Sequence, residues 1–250
     1  MSLKVSVITA TFNSAETVAE TMRSVEEQDY PHIEHIVVDG HSLDETLEIV
    51  RLYPHTATLI SEKDLGIYDA MNKGIRAATG DIIGILNSDD MYIDAKVISR
   101  VAKVFQDPQV QACYADLQYV DAQNTALVTR TWKAGKMETH SFYYGWMPPH
   151  PTFFVRKSVY DQVGLFNTSL RSAADYEMML RILVKNKMLS AYIPEVIVKM
   201  RRGGMSNASL MNRIRANRED RQAWRINGLK PYFFTLYLKP LRKITQFIKK

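Results

Sequence analysis

Short apolar runs alternate with segments of helical periodicity in the N-terminal part of the chain. The run Lys4–Ala10 is rich in β-branched residues, which favours a strand, and Val18, Met22 and Val25 then recur at helical spacing. The same alternation predicts further strands at Ile33–Val38, Ala57–Ser61 and Ile82–Leu86, with helices at Leu43–Leu52 and Ile67–Ala78. Strands separated by single helices predict right-handed crossovers and a parallel sheet that is covered on both faces.

The alternation loosens after about Val97. The remaining pattern predicts a helix Val97–Phe105, an extended run Gln111–Val120, a turn-rich segment with Pro148, Pro149 and Pro151, a helix Ala173–Lys185 and a strand Tyr192–Val198. A Gly203-Gly204 break ends this pattern. We therefore expect one Rossmann-like α/β domain over residues 1–212, followed by a helical tail over residues 213–250.

Charge is distributed unevenly along the chain. The 250 residues carry a net charge of +5, yet residues 213–250 alone hold eleven Lys or Arg against two acids, which leaves the preceding part acidic. The basic character therefore belongs to the tail. The single cysteine, Cys113, excludes an intramolecular disulfide and favours a reducing compartment. No signal segment or membrane-spanning run is evident, so we expect a cytoplasmic protein, soluble or peripheral at a membrane.

Polar residues follow three of the predicted strands. In an open parallel sheet, ligands bind beyond the carboxyl ends of the strands, where Thr9–Asn13, Asp39–Gly40 and Asn87–Asp90 would lie. A carboxylate such as Asp39, placed before a glycine, can accept hydrogen bonds from a nucleobase or ribose, although capping of the next helix explains it equally well.

The adjacent carboxylates Asp89 and Asp90 indicate a different chemistry. Two neighbouring acids at a strand end repel each other unless a cation lies between them. A hard divalent ion such as Mg²⁺ or Mn²⁺ would satisfy them, with a diphosphate filling its other positions. An acid-rich turn or helix cap is the alternative explanation.

A set of motifs in fixed order then resembles a known family. The runs are VSVITATFN, VVDGHSLDET, SEKDLGIYDAMNKGIRAATGD, ILNSDD, HPTFFVRK, AADYEMMLRI and RRGGMS. Together they resemble the family 2 inverting glycosyltransferases with the GT-A fold, over about residues 3–206. The resemblance implies a nucleotide-sugar-binding half at 1–95 and an acceptor-binding half at 96–212.

The resemblance also implies roles for particular residues. It assigns nucleoside contacts to Ala10, Thr11, Phe12 and Asp39. It assigns further polar contacts near the donor to Asp64, Asn72 and Lys73. The family's Asp-x-Asp position corresponds to Asn87, Ser88 and Asp89. Asp89, with Asp90 beside it, would hold Mn²⁺ or Mg²⁺. The first acid of the motif is replaced by Asn87, which can hydrogen-bond a ribose but carries no charge, so metal affinity is expected to be lower.

Asp175 matches the position of the family's catalytic base. An inverting transfer needs one carboxylate that takes the proton of the acceptor hydroxyl, and partial desolvation by Ala174 and Tyr176 would favour that role. Asp175 could also cap the helix that follows, and the two roles are compatible. We expect His150 on an extended loop, where it could reach acceptor or phosphate, or be structural. Arg201 and Arg202 could clamp phosphate, or be ordinary surface arginines.

The function implied is transfer of a sugar, with inversion, from a nucleotide-diphospho-sugar to a glycan or lipid-linked acceptor during assembly of a bacterial-type surface polysaccharide of the cell envelope. Two alternatives remain open. A sugar-phosphate nucleotidyltransferase would use a similar sheet, but the loop TATFNSAET lacks the glycines and basic residues of its phosphate loop. A non-catalytic nucleotide-sugar or glycan-binding module is compatible with Asn87 but not favoured by retention of Asp89 and Asp175.

The tail interleaves apolar and basic residues. The apolar set is Trp224, Tyr232, Phe233, Phe234, Tyr237, Leu238, Leu241, Ile244, Phe247 and Ile248, set beside Arg225, Lys230, Lys239, Arg242, Lys243, Lys249 and Lys250. This pattern favours a helix in an anionic membrane interface, broken by Pro231 and Pro240. Packing on the domain or on a second copy is the alternative. No nucleic-acid partner is expected, because the basic residues form no recognisable binding module.

Overall fold

A computed structural model describes the chain over residues 2–138, 140–203 and 210–248, with the backbone alone at 210–215 and 243–248. Gly204 and the end of the RRGGMS motif lie outside the described residues, as do Lys249 and Lys250 and the side chains of Lys243, Ile244, Phe247 and Ile248.

The N-terminal half contains four parallel strands and three helices: β1 Val5–Thr11, α1 Val18–Glu26, β2 Ile33–Asp39, α2 Thr46–Arg51, β3 Thr56–Ser61, α3 Ile67–Ala77 and β4 Ile82–Ile85. The strands lie in the order β3-β2-β1-β4. Every element predicted for this half is confirmed, with ends that shift by at most three residues. The strand order reverses between β1 and β4, which places the ligand crevice of such a sheet at their carboxyl ends.

Both faces of this sheet are buried, because successive side chains of a strand enter cores on opposite faces. Ile36 and Val38 pack in the same core as Met71 of α3, whereas Val37 packs with Met22 of α1 on the opposite face. This is the expected result of strands whose successive side chains point to opposite faces, each covered by helices. The predicted Rossmann-like sheet with helices on both faces is thereby confirmed.

The second half extends the same sheet with mixed pairing. Its elements are β5 Asp90–Tyr92, α4 Val97–Val104, β6 Ala112–Val120, β7 Val128–Trp132, β8 Phe154–Arg156, α5 Lys157–Val163, α6 Ala174–Met179 and β9 Ser190–Arg201. The sheet continues from β4 in the order β8-β6-β9-β5, with β7 beside β6. Only β6 and β9 are parallel among these new pairs. The predicted helix Ala173–Lys185 is α-helical only to Met179 and continues as a π-helix over Leu180–Lys185.

Two helices form the tail: α7 Leu210–Ile226 and α8 Thr235–Ile248. The inner side of α7 packs on α6, with Trp224 fully buried, and α8 packs on the short 3₁₀ helix Ser141–Tyr144. The outer side of α8 is open to solvent. Within the described part of the chain, no helix combines the length and the apolar character that crossing a bilayer requires.

Candidate active site

The carboxyl ends of β1 and β2 meet in register. Thr11 lies opposite Asp39, and the Gly40 amide donates a 2.9 Å hydrogen bond to the Thr11 carbonyl. The loop after β1 also reaches the loop after β4, where the hydroxyls of Ser14 and Ser88 are 2.9 Å apart. The three polar strand ends identified in the sequence therefore form one continuous rim.

Asp39 organises the loop that follows β2. Its side chain is fully buried, and Oδ2 accepts hydrogen bonds from the amides of His41 and Ser42, both at 3.1 Å, and from Ser61 Oγ at 2.8 Å. Oδ1 accepts from Ser42 Oγ. Because a carboxylate oxygen has two lone pairs, Oδ1 keeps acceptor capacity for a ligand.

The surface in front of this rim is formed by Phe12 and Asp64. Phe12 is 59% exposed, whereas Ala10 and Thr11 behind it are buried. The Asp64 carboxylate accepts a 2.8 Å hydrogen bond from the Gly66 amide and lies against Gly40, where an added Cβ would stand 2.5 Å from Asp64 Oδ2. The glycine therefore permits the close approach of this carboxylate to the rim.

The acid pair at the end of β4 has unequal exposure. Asp89 is half-buried, whereas Asp90 is fully buried and accepts a 3.2 Å hydrogen bond from Asn87 Nδ2. Burial raises the pKa of Asp89, and burial together with the Asp89 charge raises the pKa of Asp90 well above its ordinary range. Arg201 partly offsets both shifts. The pair thus lies in surroundings that favour additional positive charge.

The donor set around this pair fits a hard divalent cation. Asn87 Oδ1 and Asp90 Oδ1 are buried oxygens without a hydrogen-bond partner in the described structure, as is Thr11 Oγ1 on β1. Oxygen ligands of this kind suit Mg²⁺ or Mn²⁺. Among the described residues, no three acidic, histidine or cysteine side chains converge as a complete ligand set. A cation held here would draw further ligands from a diphosphate and water.

A second cluster surrounds Asp175, in the first turn of α6. Tyr68, in the first turn of α3, donates a 3.1 Å hydrogen bond from its hydroxyl to Asp175 Oδ1. Burial, followed by the Asp175 charge, raises the pKa of Tyr68 well above its ordinary value, so the hydroxyl keeps its proton. Ala173, rather than Asp175, holds the N-cap position of this helix. The carboxylate therefore does not cap the helix, a role that the sequence had left open beside that of the base.

Aromatic rings and one amide complete this cluster. Phe166 stacks on Tyr68 with ring centroids 5.7 Å apart and meets His150 edge-on at 6.0 Å. Burial lowers the pKa of His150, an effect that the Asp175 charge partly opposes, so the imidazole is neutral near pH 7. Both ends of the Asn72 side-chain amide bond the Phe166 backbone at 2.9 Å. Asn72 thus fixes the backbone of Phe166, whose ring contacts both His150 and Tyr68.

Three of the cationic residues singled out in the sequence have protein partners or lie at the surface. Lys73 pairs with Glu62 at 2.9 Å. Arg201 pairs with Glu20 at 2.6 Å and donates to the Ala122 carbonyl at 2.7 Å. Arg202 is exposed. Arg201 is nonetheless close enough to influence both acids of the pair, as their pKa values show.

The structure thus forms two groups: a rim that carries Thr11, Asp39 and the acid pair, and the cluster around Asp175. The start of α3 connects them, because the loop carrying Asp64 leads directly to Tyr68. Sequence reasoning missed Tyr68 and Phe166. Tyr68 lies within a motif that was recognised, but helical periodicity gave no reason to pair it with a residue so distant in the chain.

Solved structures share this architecture. The mannosyltransferase PcManGT from Pyrobaculum calidifontis, in complex with GDP-Man and Mn²⁺, has a TM-score of 0.69 and 22% identity, covering 96% of this chain and 69% of that one. S. aureus TarS 1–349 with UDP-GlcNAc has a TM-score of 0.68 and 20% identity, covering 90% of this chain. This chain spans 65% of that fragment and 43% of another TarS structure. The likeness defines the class of fold as GT-A.

Sequence comparison defines the family. Residues 6–164 match the profile described as Glycosyl transferase family 2. A "PGL/p-HBAD biosynthesis glycosyltransferase" of Mycobacterium bovis is 28% identical over 207 residues, covering 81% of this chain and 78% of that protein. An uncharacterized glycosyltransferase of Mycobacterium tuberculosis is 31% identical over 180 residues, and the alignment covers 71% of this chain and 68% of that protein. The chain belongs to glycosyl transferase family 2.

Proposed function

We propose that this glycosyltransferase moves a sugar, with inversion, from a nucleotide-diphospho-sugar to a hydroxyl of a glycan or lipid-linked acceptor, with Asp175 as the base. The observation that carries the proposal is the Tyr68–Asp175 hydrogen bond. It holds a half-buried carboxylate beside the segment that leads from the polar rim. A reactive hydroxyl and a sugar donor bound at the rim would therefore lie within reach of the same base.

The nucleoside is assigned to the rim. Phe12 offers an exposed ring beside Gly40, and Asp39 Oδ1 retains an acceptor site next to the buried Thr11. These groups suit the stacking and hydrogen bonding of a base and ribose. Related folds with UDP-GlcNAc or GDP-Man bound support a nucleotide sugar as donor. Asp64, against Gly40, would extend these contacts toward the ribose or sugar.

Asp175 acts on the acceptor in a single displacement. It accepts the proton of the attacking hydroxyl while that oxygen forms a bond to the anomeric carbon and the bond to the diphosphate breaks. Attack opposite the leaving group inverts the configuration and needs no covalent sugar–enzyme intermediate. Tyr68 fixes one carboxylate oxygen, which leaves the other for the proton. The neutral His150 adds a hydrogen-bonding group near the acceptor side.

A divalent cation, Mn²⁺ or Mg²⁺, is assigned to Asp89, the half-buried member of the acid pair, with Asp90 and Asn87 behind it. When bound, such a cation offsets the negative charge that develops on the departing diphosphate. PcManGT, which shares the fold, is solved with Mn²⁺. Arg201 contributes a nearby fixed positive charge that restrains the repulsion between the two acids. We place the phosphates of the donor on this side of the rim.

We assign the protein to the cytoplasmic face of a bacterial-type envelope, peripheral to the membrane through its tail. An exposed apolar stripe is formed by Phe233, two residues before α8, and by Tyr237 and Leu241 on the outer side of α8; we call it the outer stripe. The cations Lys230 and Arg242 are exposed beside it. Apolar anchors flanked by cations match an anionic lipid surface, where lipid-linked acceptors are found.

A donor screen tests the proposal. Purified protein is incubated with UDP-, GDP- and dTDP-sugars, with Mn²⁺, Mg²⁺ or EDTA, and release of the nucleoside diphosphate is followed with and without lipid-linked or glycan acceptors. We expect one nucleotide class to be consumed, dependent on metal, with a product of inverted anomeric configuration by NMR. Release of pyrophosphate from a nucleoside triphosphate and a sugar phosphate would instead identify a nucleotidyltransferase. Donor binding without turnover on any acceptor would identify a binding module.

A further inference from the structure

The tail forms hydrogen bonds with α6, the helix that carries Asp175, and with the turn before it. Three residues that flank Asp175, namely Ser172, Tyr176 and Glu177, each hydrogen-bond a side chain of the tail. The partners of Ser172 and Tyr176 are on α7, and the partner of Glu177 is Asn227, which follows α7 directly. We infer that these contacts, with those of α8, form a clamp that positions Asp175 for proton transfer. This inference rests on the proposed role of Asp175 as the base.

The contact preceding the base is made by Glu219. Its carboxylate oxygen Oε2 accepts hydrogen bonds from the Ser172 amide at 2.7 Å and from the Ser172 hydroxyl at 2.9 Å. Glu219 is buried, so both bonds are protected from competing water. The chain is thereby fixed three residues before Asp175.

The residue after the base is held by Trp224 and Lys239. Trp224 Nε1 donates a 3.0 Å hydrogen bond to the hydroxyl of Tyr176, and both side chains are buried. Lys239 Nζ of α8 lies 3.6 Å from the centroid of the Tyr176 ring and forms a 2.7 Å ion pair with Asp220 of α7. A buried ring with a cation on its face and a donor on its hydroxyl has little freedom to rotate.

The third contact joins Glu177 to Asn227. Asn227 Nδ2 donates to Glu177 Oε1 at 3.0 Å, and Arg181 Nε donates to the same oxygen at 3.0 Å. Arg181 also donates to the carbonyls of Val163 and Leu165. The fully buried Glu177 carboxylate is thereby compensated on two sides and tied to the loop that precedes Phe166.

The helix of the base needs such support. α6 has only six α-helical residues, its N-cap Ala173 offers no side-chain hydrogen bond, and a π-helix follows directly. A helix of this length has almost no intrinsic stability in water, so its orientation depends on tertiary contacts. Since small misplacements of a catalytic group reduce turnover strongly, the clamp contacts should affect rate more than substrate binding.

A double-mutant cycle in the full-length protein tests the clamp. Trp224→Phe and Tyr176→Phe each remove the same hydrogen bond while keeping a large buried ring. We expect each to lower kcat on the order of tenfold with KM for the donor unchanged, and the double variant to be no slower than the slower single variant. Gln222→Ala, an exposed position on the same helix, is the matched control and should retain wild-type kcat.

Backbone amide exchange provides a readout that does not depend on turnover. In Trp224→Phe, exchange over residues 173–179 should accelerate while exchange in β1 and β2 stays at the wild-type rate. Unchanged exchange, or faster exchange with unchanged kcat, overturns the inference; the second outcome would make the contact merely structural. Absence of turnover in the wild-type protein with every donor contradicts the proposed function instead, and then the positioning inference falls with it.

Discussion

The hydroxyl of Tyr68 donates a hydrogen bond to the carboxylate of Asp175 across a separation of 107 residues in the chain. Tyr68 lies in the first turn of α3, in the half of the sheet that carries the polar rim, and Asp175 lies in the first turn of α6 in the other half. This contact joins the proposed base to the start of α3, directly after the loop that carries Asp64. The expected behaviour of Asp175 and Tyr68 variants depends on it.

Asp175→Asn removes the proton acceptor while preserving the shape of the side chain. We expect kcat for transfer to fall about a hundredfold or more, in line with the loss of a general base, with the Kd for the nucleotide sugar unchanged. Steady-state kinetics and calorimetric titration of the donor measure the two quantities. Turnover equal to that of the wild type would remove Asp175 from the mechanism, whereas loss of donor binding would assign it to the donor site.

Tyr68→Phe removes the hydroxyl that orients the base but keeps the ring stacked on Phe166. We expect a smaller fall in kcat, on the order of tenfold, without a change in KM for the donor. Tyr30→Phe is a matched control, because its hydroxyl also donates one hydrogen bond, to the Leu3 carbonyl at 2.6 Å, outside both clusters. Equal kcat in the two variants would show that the Tyr68 hydroxyl does not position Asp175.

Acid should destabilise the protein through His35, a buried histidine of β2 that contacts the partly buried His55. His35 is buried, with its ring nitrogens 2.9 Å from His55 Nε2 and 3.0 Å from Thr9 Oγ1, and burial, with a further contribution from His55, lowers its pKa to about 3. The unfolded chain binds a proton near pH 6.5, whereas the folded chain resists protonation down to about pH 3. The contribution of His35 to the free energy of unfolding is therefore fully present above pH 6.5 and is lost as the pH falls below that value.

Urea unfolding between pH 7 and pH 5 measures this effect. Below about pH 6.5, the free energy of unfolding should fall by up to about 1.4 kcal/mol per pH unit from this one group. His35→Gln should lower the stability at pH 7 but flatten the dependence on pH. A variant that keeps the wild-type slope would show that His35 is not the group responsible.

The outer stripe should bind anionic membranes. Replacing Phe233, Tyr237 and Leu241 together by Ser removes exposed apolar surface without touching the clamp contacts of α7. We expect flotation with phosphatidylserine-containing vesicles to fall on the order of tenfold or more, and wild-type binding to weaken as salt is raised. Leu52→Ser, at an exposed leucine after α2, is the matched control and should float like the wild type.

Substitutions are a better test than truncation near residue 212, because truncation would also remove the buried Trp224 and the clamp around α6. Equal flotation of the triple Ser variant and the wild type, or wild-type binding that is the same on neutral vesicles, would contradict the membrane assignment.

Local pattern was enough to predict the N-terminal half of the fold. Strands such as Val5–Thr11 are rich in buried β-branched residues and α3 has a clear apolar face, because each is buried by neighbours that the alternation itself implies. The polar residues at the strand ends were placed for the same reason, since the carboxyl ends of parallel strands share one edge. The order of β5, β7 and β8 was beyond this reasoning, because strands of three to five residues have too little periodicity to be recognised.

The contacts of the tail could not be predicted from the sequence, for a different reason. Its sequence presents aromatic and basic residues that favour a membrane, but the buried contacts with α6 and the turn before it are made by Glu219 and Trp224 of α7 and by Asn227, which follows α7. Polar residues on a buried helix face have no signature in a hydrophobic pattern. They become visible only when their partners, such as Ser172 and Glu177, are placed opposite them.

What the sequence determined by itself was the family resemblance, the parallel first half of the sheet and the candidate residues on its edge, because these depend on short-range periodicity and on motifs of contiguous residues. The tertiary structure alone decided that Tyr68 bonds Asp175, that Phe166 lies between Tyr68 and His150, and that the tail supports α6. Such pairings join residues far apart in the chain, and their geometry is set by how whole helices pack against the sheet.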